Sequence, residues 1–370
     1  APVKVNWLGY AGSMGHRAFA DYLIGDAVTT PESSAPWFSE ALALMPRTYM
    51  PTDNRRVRGP RPSRVEAGLP DAGVVFCCFN QPYKITPDVF AVWCQLLHEV
   101  PDSVLWLASP HRDARANLLR EAASRGIDAT RLVFAPFTPT IQEHLGRLQL
   151  ADIALDTAPY NSHSTGVDAL WCGVPLVCVR GQRFAGRVGA SLVTAAGVPE
   201  LAVDTLDDYH RLALALATDA AALQGVKARL EEARSRSALF DTAGFTRDLE
   251  TLYLRIWQSH CEGRHAILGP PGAGFPNGSP GAGELPSPRT AGPGVLAQYA
   301  DCSRFAVCCS AAACAGLVSC RAPRNSRAAA SCCRSGGSAC RTAHPSRESM
   351  NSADHSFAGS GGSKAKASGS

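Results

Sequence analysis

Short uncharged apolar runs alternate with longer amphipathic stretches through the middle of this chain, and that alternation restricts the fold more than any other feature. Val74–Phe79 (VVFCCF) is apolar at every position and bounded by turn residues, the pattern of a strand covered on both faces. Pro87–Val100 follows, with Val89, Val92, Trp93, Leu96 and Leu97 at helical spacing and a proline in its first turn. The series continues as strand Ser103–Ala108, helix Asp113–Arg125 closed by Gly126, strand Arg131–Ala135 and helix Pro139–Leu150. Strand Ile153–Asp156, helix Ser164–Cys172 ended by Gly173 and strand Val174–Val179 come next. Helices over Ala185–Ala196, Asp207–Thr218, Asp219–Arg234 and Ala243–Gln258 close it. Single helices between strands require right-handed crossovers, so the sequence predicts an α/β fold with a parallel, doubly wound sheet.

The two ends read differently. Residues 1–65 hold WLGYAGSMG, a stretch with Tyr and Trp, and a basic NRRVRGPRPSR linker; VKVNWLGY reads as the last strand of a unit lying before Ala1. Residues 263–370 are rich in Gly, Pro, Ser, Ala and Cys with no sustained apolar period. Such a composition cannot offset an ordering entropy of about 1–2 kcal/mol per residue, so a disordered tail is expected. From His265 on, ten Lys and Arg face four acids, which leaves the first 264 residues slightly acidic within an overall charge of +4. The basic balance therefore belongs to the tail and does not mark the body as binding nucleic acid. Eight of the 14 Cys lie between Cys302 and Cys340 without histidines at zinc-ligand spacing, so no metal site is expected there. Cys77, Cys78, Cys94, Cys172 and Cys178 sit in apolar segments as small core residues, which fits a reduced, cytoplasmic setting. Apolar runs fall well short of the ~18 residues of a membrane helix, so no membrane partner is expected.

Chemistry-bearing residues collect where strands end. Leu155-Asp156-Thr157-Ala158-Pro159-Tyr160-Asn161-Ser162-His163-Ser164-Thr165-Gly166-Val167-Asp168 runs from a buried strand through a polar loop into a helix. A helix start offers free N–H groups and partial positive charge beyond the carboxyl end of a strand. With the Ser164 and Thr165 hydroxyls and the His163 ring N–H it could hold a diphosphate without a metal, and Asp168 could accept from a ribose hydroxyl. The same residues also suit a plain N-cap with Asp168 serving the helix dipole. Lys84, in Phe79–Ile85 (FNQPYKI), could neutralise charge on a leaving phosphate or simply be solvated. His144 and Arg147 share a helix face and could flank a nucleotide or form an exposed polar surface. Arg187, in the turn Gly181–Val188, could steady the phosphate loop or face solvent. Asp-x-Asp is missing from the body, and neither GxGxxG nor a Walker motif occurs.

In order along the chain, WLGYAGSMG, DYLIGD, FNQPYKI, SVLWL, EHLGRLQLADIALDTAPYNSHSTGVDALWCGVPLV and FAGRVGASL resemble the bacterial O-GlcNAc transferase/Spindly-type glycosyltransferases over about residues 1–260. The resemblance implies a GT-B-type enzyme with two Rossmann-like lobes, usually behind tetratricopeptide repeats. It implies inverting, metal-independent transfer of a sugar from UDP-GlcNAc or GDP-fucose to Ser/Thr hydroxyls of a protein acceptor, with no cofactor. Residues 1–65 would then be the remnant of the N-terminal lobe, 66–262 the nucleotide-sugar lobe and 263–370 the tail. By motif, Gln81 and Lys84 resemble donor-site residues with Lys84 on the diphosphate and in the catalytic role. His144 and Arg147 resemble nucleotide-side positions, His163, Ser164 and Thr165 the diphosphate loop, and Asp168 the ribose contact. Ser164 stands for the family's usual Thr, Ala11 for the Pro of GYPGT, and Ile141 for a Lys of the animal enzymes. A nucleotide-sugar epimerase and an inactive sugar-nucleotide-binding module are the alternatives. With the acceptor machinery placed before Ala1, the chain is expected to bind donor without turning it over.

Overall fold

The computed structural model describes residues 1–108 and 111–270, and the backbone of 306–308. Its larger sheet contains β4 (Val75–Cys78), β5 (Val104–Ala108), β6 (Leu132–Ala135), β7 (Ile153–Leu155), β8 (Leu176–Val179) and β9 (Ala202–Val203). All pairings are parallel and the order is β6-β5-β4-β7-β8-β9. The order reverses between β4 and β7, so the loops leaving their carboxyl ends run in opposite directions and open a crevice at the switch point. The connecting helices are α1 (Pro87–Glu99), α2 (Arg112–Ser124), α3 (Ile141–Leu148), α4 (Ser164–Trp171), α5 (Val188–Ala195) and α6 (Leu206–Thr218). α7 (Ala220–Arg236) and α8 (Thr242–Cys261) follow. Caps set several starts: the Thr86, Thr140 and Thr205 side chains each accept from an N–H in the first turn of α1, α3 and α6. Strands β4, β5 and β7 are buried almost throughout, as their unbroken apolar runs require.

The first fifty residues form more than one strand. β1 (Lys4–Asn6), β2 (Tyr22–Asp26) and β3 (Ala41–Met45) pair in parallel, and the backbone of β10 (Ala306–Cys308) adds to β1. This smaller sheet is tied to the C-terminal elements. α8 packs on β3, Tyr22 hydrogen-bonds Ser259 at 3.2 Å, and Trp7 stacks on Phe245. Leu44 N–H donates to Leu268 O and Leu268 N–H to Leu42 O, so the chain stays with this sheet past the expected boundary at 262. The remainder of the expected tail lies outside the described residues, apart from the 306–308 backbone. Asp26, buried, forms a hub: Oδ1 accepts from the N–H of Val28 and Thr29, and Oδ2 from Tyr49 N–H (2.9 Å) and the Ser191 hydroxyl of α5 (2.6 Å).

The basic segment between β3 and β4 is a strap rather than a solvated spacer. Arg58 makes a bidentate pair with Glu231 of α7 at 2.9 and 3.0 Å, and Arg64 donates to Gly73 O. Gly59 N–H bonds Gln142 O on α3. The strap lies so close that a Cβ on Gly146 would come within 2.5 Å of Pro60 O.

Candidate functional site

Two loops meet at the switch point. After β4, Phe79–Thr86 turns through a short 3-10 segment (Pro82–Lys84); after β7, Asp156–His163 leads into α4. Thr86 joins them by donating to Ala158 O at 3.1 Å. Lys84 Nζ bonds Asn161 O at 2.9 Å and stands 3.9 Å from the Tyr160 ring centroid. Burial lowers the Lys84 pKa, with Asp156 opposing that shift. His163 precedes α4; its Nε2 is buried without a partner, and burial, aided by Lys84, holds its pKa at about 4. The ring is therefore neutral at pH 7, with a polar edge that nothing among the described residues satisfies. The Ser164 and Thr165 N–H groups likewise have no partner among the described residues. Ser164 is exposed. Gly166 lets the loop fold this tightly: a Cβ there would meet Ser162 Oγ at 2.5 Å.

A buried polar platform supports the loop, and it corrects one expectation. Asp156 Oδ1 accepts from Ser162 N–H (2.7 Å), Thr157 N–H (2.8 Å) and Asn80 Nδ2 (3.2 Å). Burial raises the Asp156 pKa to about 6 against those donors. Asn80 Nδ2 also donates to Thr157 Oγ at 2.8 Å, which fixes the amide orientation so that Oδ1 accepts the Thr165 hydroxyl proton. Thr165 therefore offers a diphosphate only its backbone N–H, and its hydroxyl pins α4 to the end of β4. Asn80, Asp156 and Asn161 went unremarked as site residues in the sequence; the signal was their position at strand ends beside Lys84 and His163.

A second cluster gathers around Phe79. Arg147 lies 5.2 Å from its ring centroid, and the His144 ring meets it edge-on at 5.2 Å. His144 Nδ1 accepts from Arg147 Nη2 at 3.2 Å, so the neutral ring carries its hydrogen on Nε2. Burial holds its pKa below the usual histidine range, outweighing Asp168. Asp168 is buried, 3.9 Å from His144 Nε2 and hydrogen-bonded to Arg56 Nη1. The structure thus brings Lys84 and His163 together with the start of α4, and His144 with Arg147 and Asp168. Gln81 is exposed; its carbonyl oxygen accepts from Lys84 N–H at 3.0 Å, and among the described residues its side chain bonds neither group. Arg187 instead donates to Val28 O and Gly181 O, joining the two sheets.

Tyr160, His163, Arg183 and Arg187 line one side of a cleft of about 790 Å³, and the segment Leu8–Ser13 with Trp37 lines the other. WLGYAGSMG, from the smaller sheet, and FAGRVG, from the larger, therefore face each other across one cavity.

The glycosyl transferase family 41 model matches residues 1–59 and 61–249. The chain is 35% identical over 271 residues to an Arabidopsis thaliana protein described as a probable UDP-N-acetylglucosamine–peptide N-acetylglucosaminyltransferase SEC, covering 71% of this chain and 28% of that one. It is 39% identical over 201 residues to the Caenorhabditis elegans UDP-N-acetylglucosamine–peptide N-acetylglucosaminyltransferase, covering 54% of this chain and 17% of that one. Among solved structures, a mutant of the Thermobaculum terrenum O-GlcNAc transferase matches with a TM-score of 0.65 and 32% identity, over 71% of this chain and half of that one. The chain spans little more than a quarter of the length of these curated relatives, or less. The two parallel sheets are those of a GT-B-type glycosyltransferase, and the chain belongs to glycosyl transferase family 41.

Proposed function

We propose that this chain carries the donor side of an inverting, metal-independent protein glycosyltransferase that moves GlcNAc from UDP-GlcNAc to Ser/Thr hydroxyls. The observation that carries this reading is the convergence of the Lys84 ammonium, the unpartnered His163 Nε2 and the free N–H groups of α4 at one switch point. Diphosphate bound there would have its charge met by an ammonium and a helix start, the work a divalent ion does elsewhere. On the other side, Phe79, His144, Arg147 and Asp168 would hold the nucleoside. The names of the curated relatives favour UDP-GlcNAc over GDP-fucose.

In the reaction so read, the acceptor oxygen bonds the anomeric carbon as the bond to the β-phosphate oxygen breaks. The electron pair leaves with the diphosphate, where Lys84 and the Ser164 and Thr165 N–H groups stabilise it. The acceptor proton passes to a general base on the acceptor side of the cleft. The buried free cysteines support a reducing, cytoplasmic setting.

Calorimetry of the full chain with UDP and GDP in EDTA tests the site. UDP should bind and bind better than GDP; no binding, or binding only with a divalent ion, overturns the reading. Incubation with labelled UDP-GlcNAc or GDP-fucose and peptide arrays, with and without a relative's N-terminal lobe, separates transfer, epimerised donor and unchanged donor. Labelled peptide supports the reading; epimerised donor, or donor unchanged in both arms, overturns it.

A further inference from the structure

Arg56 belongs by sequence to the strap, yet its side chain lies 112 positions from home, against α4. The guanidinium is only 18% exposed, bonded to Asp168 Oδ1, and 5.7 Å from the Trp171 ring centroid. Among the described residues, nothing partners its buried Nε and Nη2. Two residues on, the Arg58–Glu231 pair anchors the backbone that delivers it.

With Oδ1 held by Arg56, the other oxygen of Asp168 sits 3.9 Å from His144 Nε2, too far for a hydrogen bond. The Arg147 contact at Nδ1 leaves the His144 hydrogen on Nε2. An N–H donor and a carboxylate acceptor therefore stand side by side, and neither satisfies the other. A hydroxyl group, which accepts and donates at once, is their complement.

We propose that Arg56 is a positioning residue of the donor site: it fixes the Asp168 carboxylate so that Oδ2 and His144 Nε2–H together take a ribose hydroxyl of the nucleotide. This rests on the donor-site reading above. Without the guanidinium the carboxylate is free to swing onto His144, and the two groups then satisfy each other instead of the ligand. A directed, charge-assisted hydrogen bond from a planar guanidinium restricts that motion in a way a distant charge does not.

The test compares UDP with 2′,3′-dideoxy-UDP by calorimetry on the full chain and on Arg56→Met. Wild type should prefer UDP by at least tenfold. Arg56→Met should shrink that preference at least fivefold, through weaker UDP binding with the dideoxy affinity little changed. A preference that survives in Arg56→Met overturns the inference, even if both affinities fall together, since a merely structural role predicts that pattern. Equal wild-type binding of the two nucleotides overturns it too while leaving the donor site standing; no wild-type binding of either overturns the donor-site reading itself. Should Arg56→Met fail to fold, Arg56→Gln keeps a donor without the charge and is judged by the same ratio.

Discussion

Replacing Lys84 by Met separates what this residue does for the ligand from what it does for the fold. In the free chain the ammonium is partly stripped of water, and its lowered pKa says that burial outweighs the pull of Asp156. Its compensation is one hydrogen bond to Asn161 O at 2.9 Å and the Tyr160 ring at 3.9 Å. Met keeps the stem packed and removes both the cost and the compensation, so unfolding free energy should change by no more than about 1 kcal/mol. A diphosphate would lose a charge-assisted hydrogen bond of about 1.5–3 kcal/mol. At 1.4 kcal/mol per decade that is roughly a 10- to 140-fold rise in Kd. Calorimetry with UDP in EDTA reads the second quantity and urea denaturation the first. Affinity within twofold of wild type would remove Lys84 from the diphosphate site. A stability loss of several kcal/mol would instead make Lys84 a structural group whose effect on binding is indirect.

Gly166→Ala should cost about 1–3 kcal/mol in denaturation, because its Cβ would meet Ser162 Oγ at 2.5 Å and Leu192 Cδ1 at 3.0 Å; wild-type stability would show that the loop yields. His163 titrates near 4 when folded against about 6.5 unfolded, so its neutral form contributes stability above pH 6.5 that is lost as pH falls toward 4. Asp156, held at about 6, runs the opposite way and favours the folded state as pH drops below that value. The melting-temperature difference between wild type and His163→Gln should therefore move in the variant's favour from pH 7.5 to pH 5, and a difference independent of pH contradicts the assignment. Arg47 pairs with Asp241, the N-cap of α8, and with Asp248 on α8 at 2.9 Å each, all partly exposed, so Arg47→Met should cost about 1 kcal/mol in low salt and less in 1 M salt; a cost insensitive to salt would point to lost packing.

The strands and helices from β4 to α8, the two-residue β9 excepted, were legible because each carries its own period and each is joined to the next by a short loop. The smaller sheet was harder to read. β2 and β3 are buried five-residue runs joined by loops with only a 3-10 turn between them, so the strand–helix alternation that marks a parallel sheet is absent there. The site was legible as loops but not as bonds. Lys84 and His163 fell where strand ends place them, whereas the hydroxyl of Thr165 was committed to Asn80, 85 residues earlier. The arginines of the strap read only as a basic linker because their partners Asp168 and Glu231 are more than a hundred positions away, and local charge pattern holds no trace of such pairs.

That strap also determines where the larger-sheet half of one such chain could be exchanged for another's. Composition invites a joint near residue 66, but a graft cut there would arrive without Arg56 and Arg58 and set Asp168 and Glu231 against a foreign chain. The contacts change allegiance earlier. Tyr49 N–H serves Asp26 of the smaller sheet, while the Thr52 hydroxyl donates to Leu239 O and Asn54 N–H to Thr242 Oγ1. A chimera seamed at Met50–Pro51 would keep every one of these pairs within the half that made it.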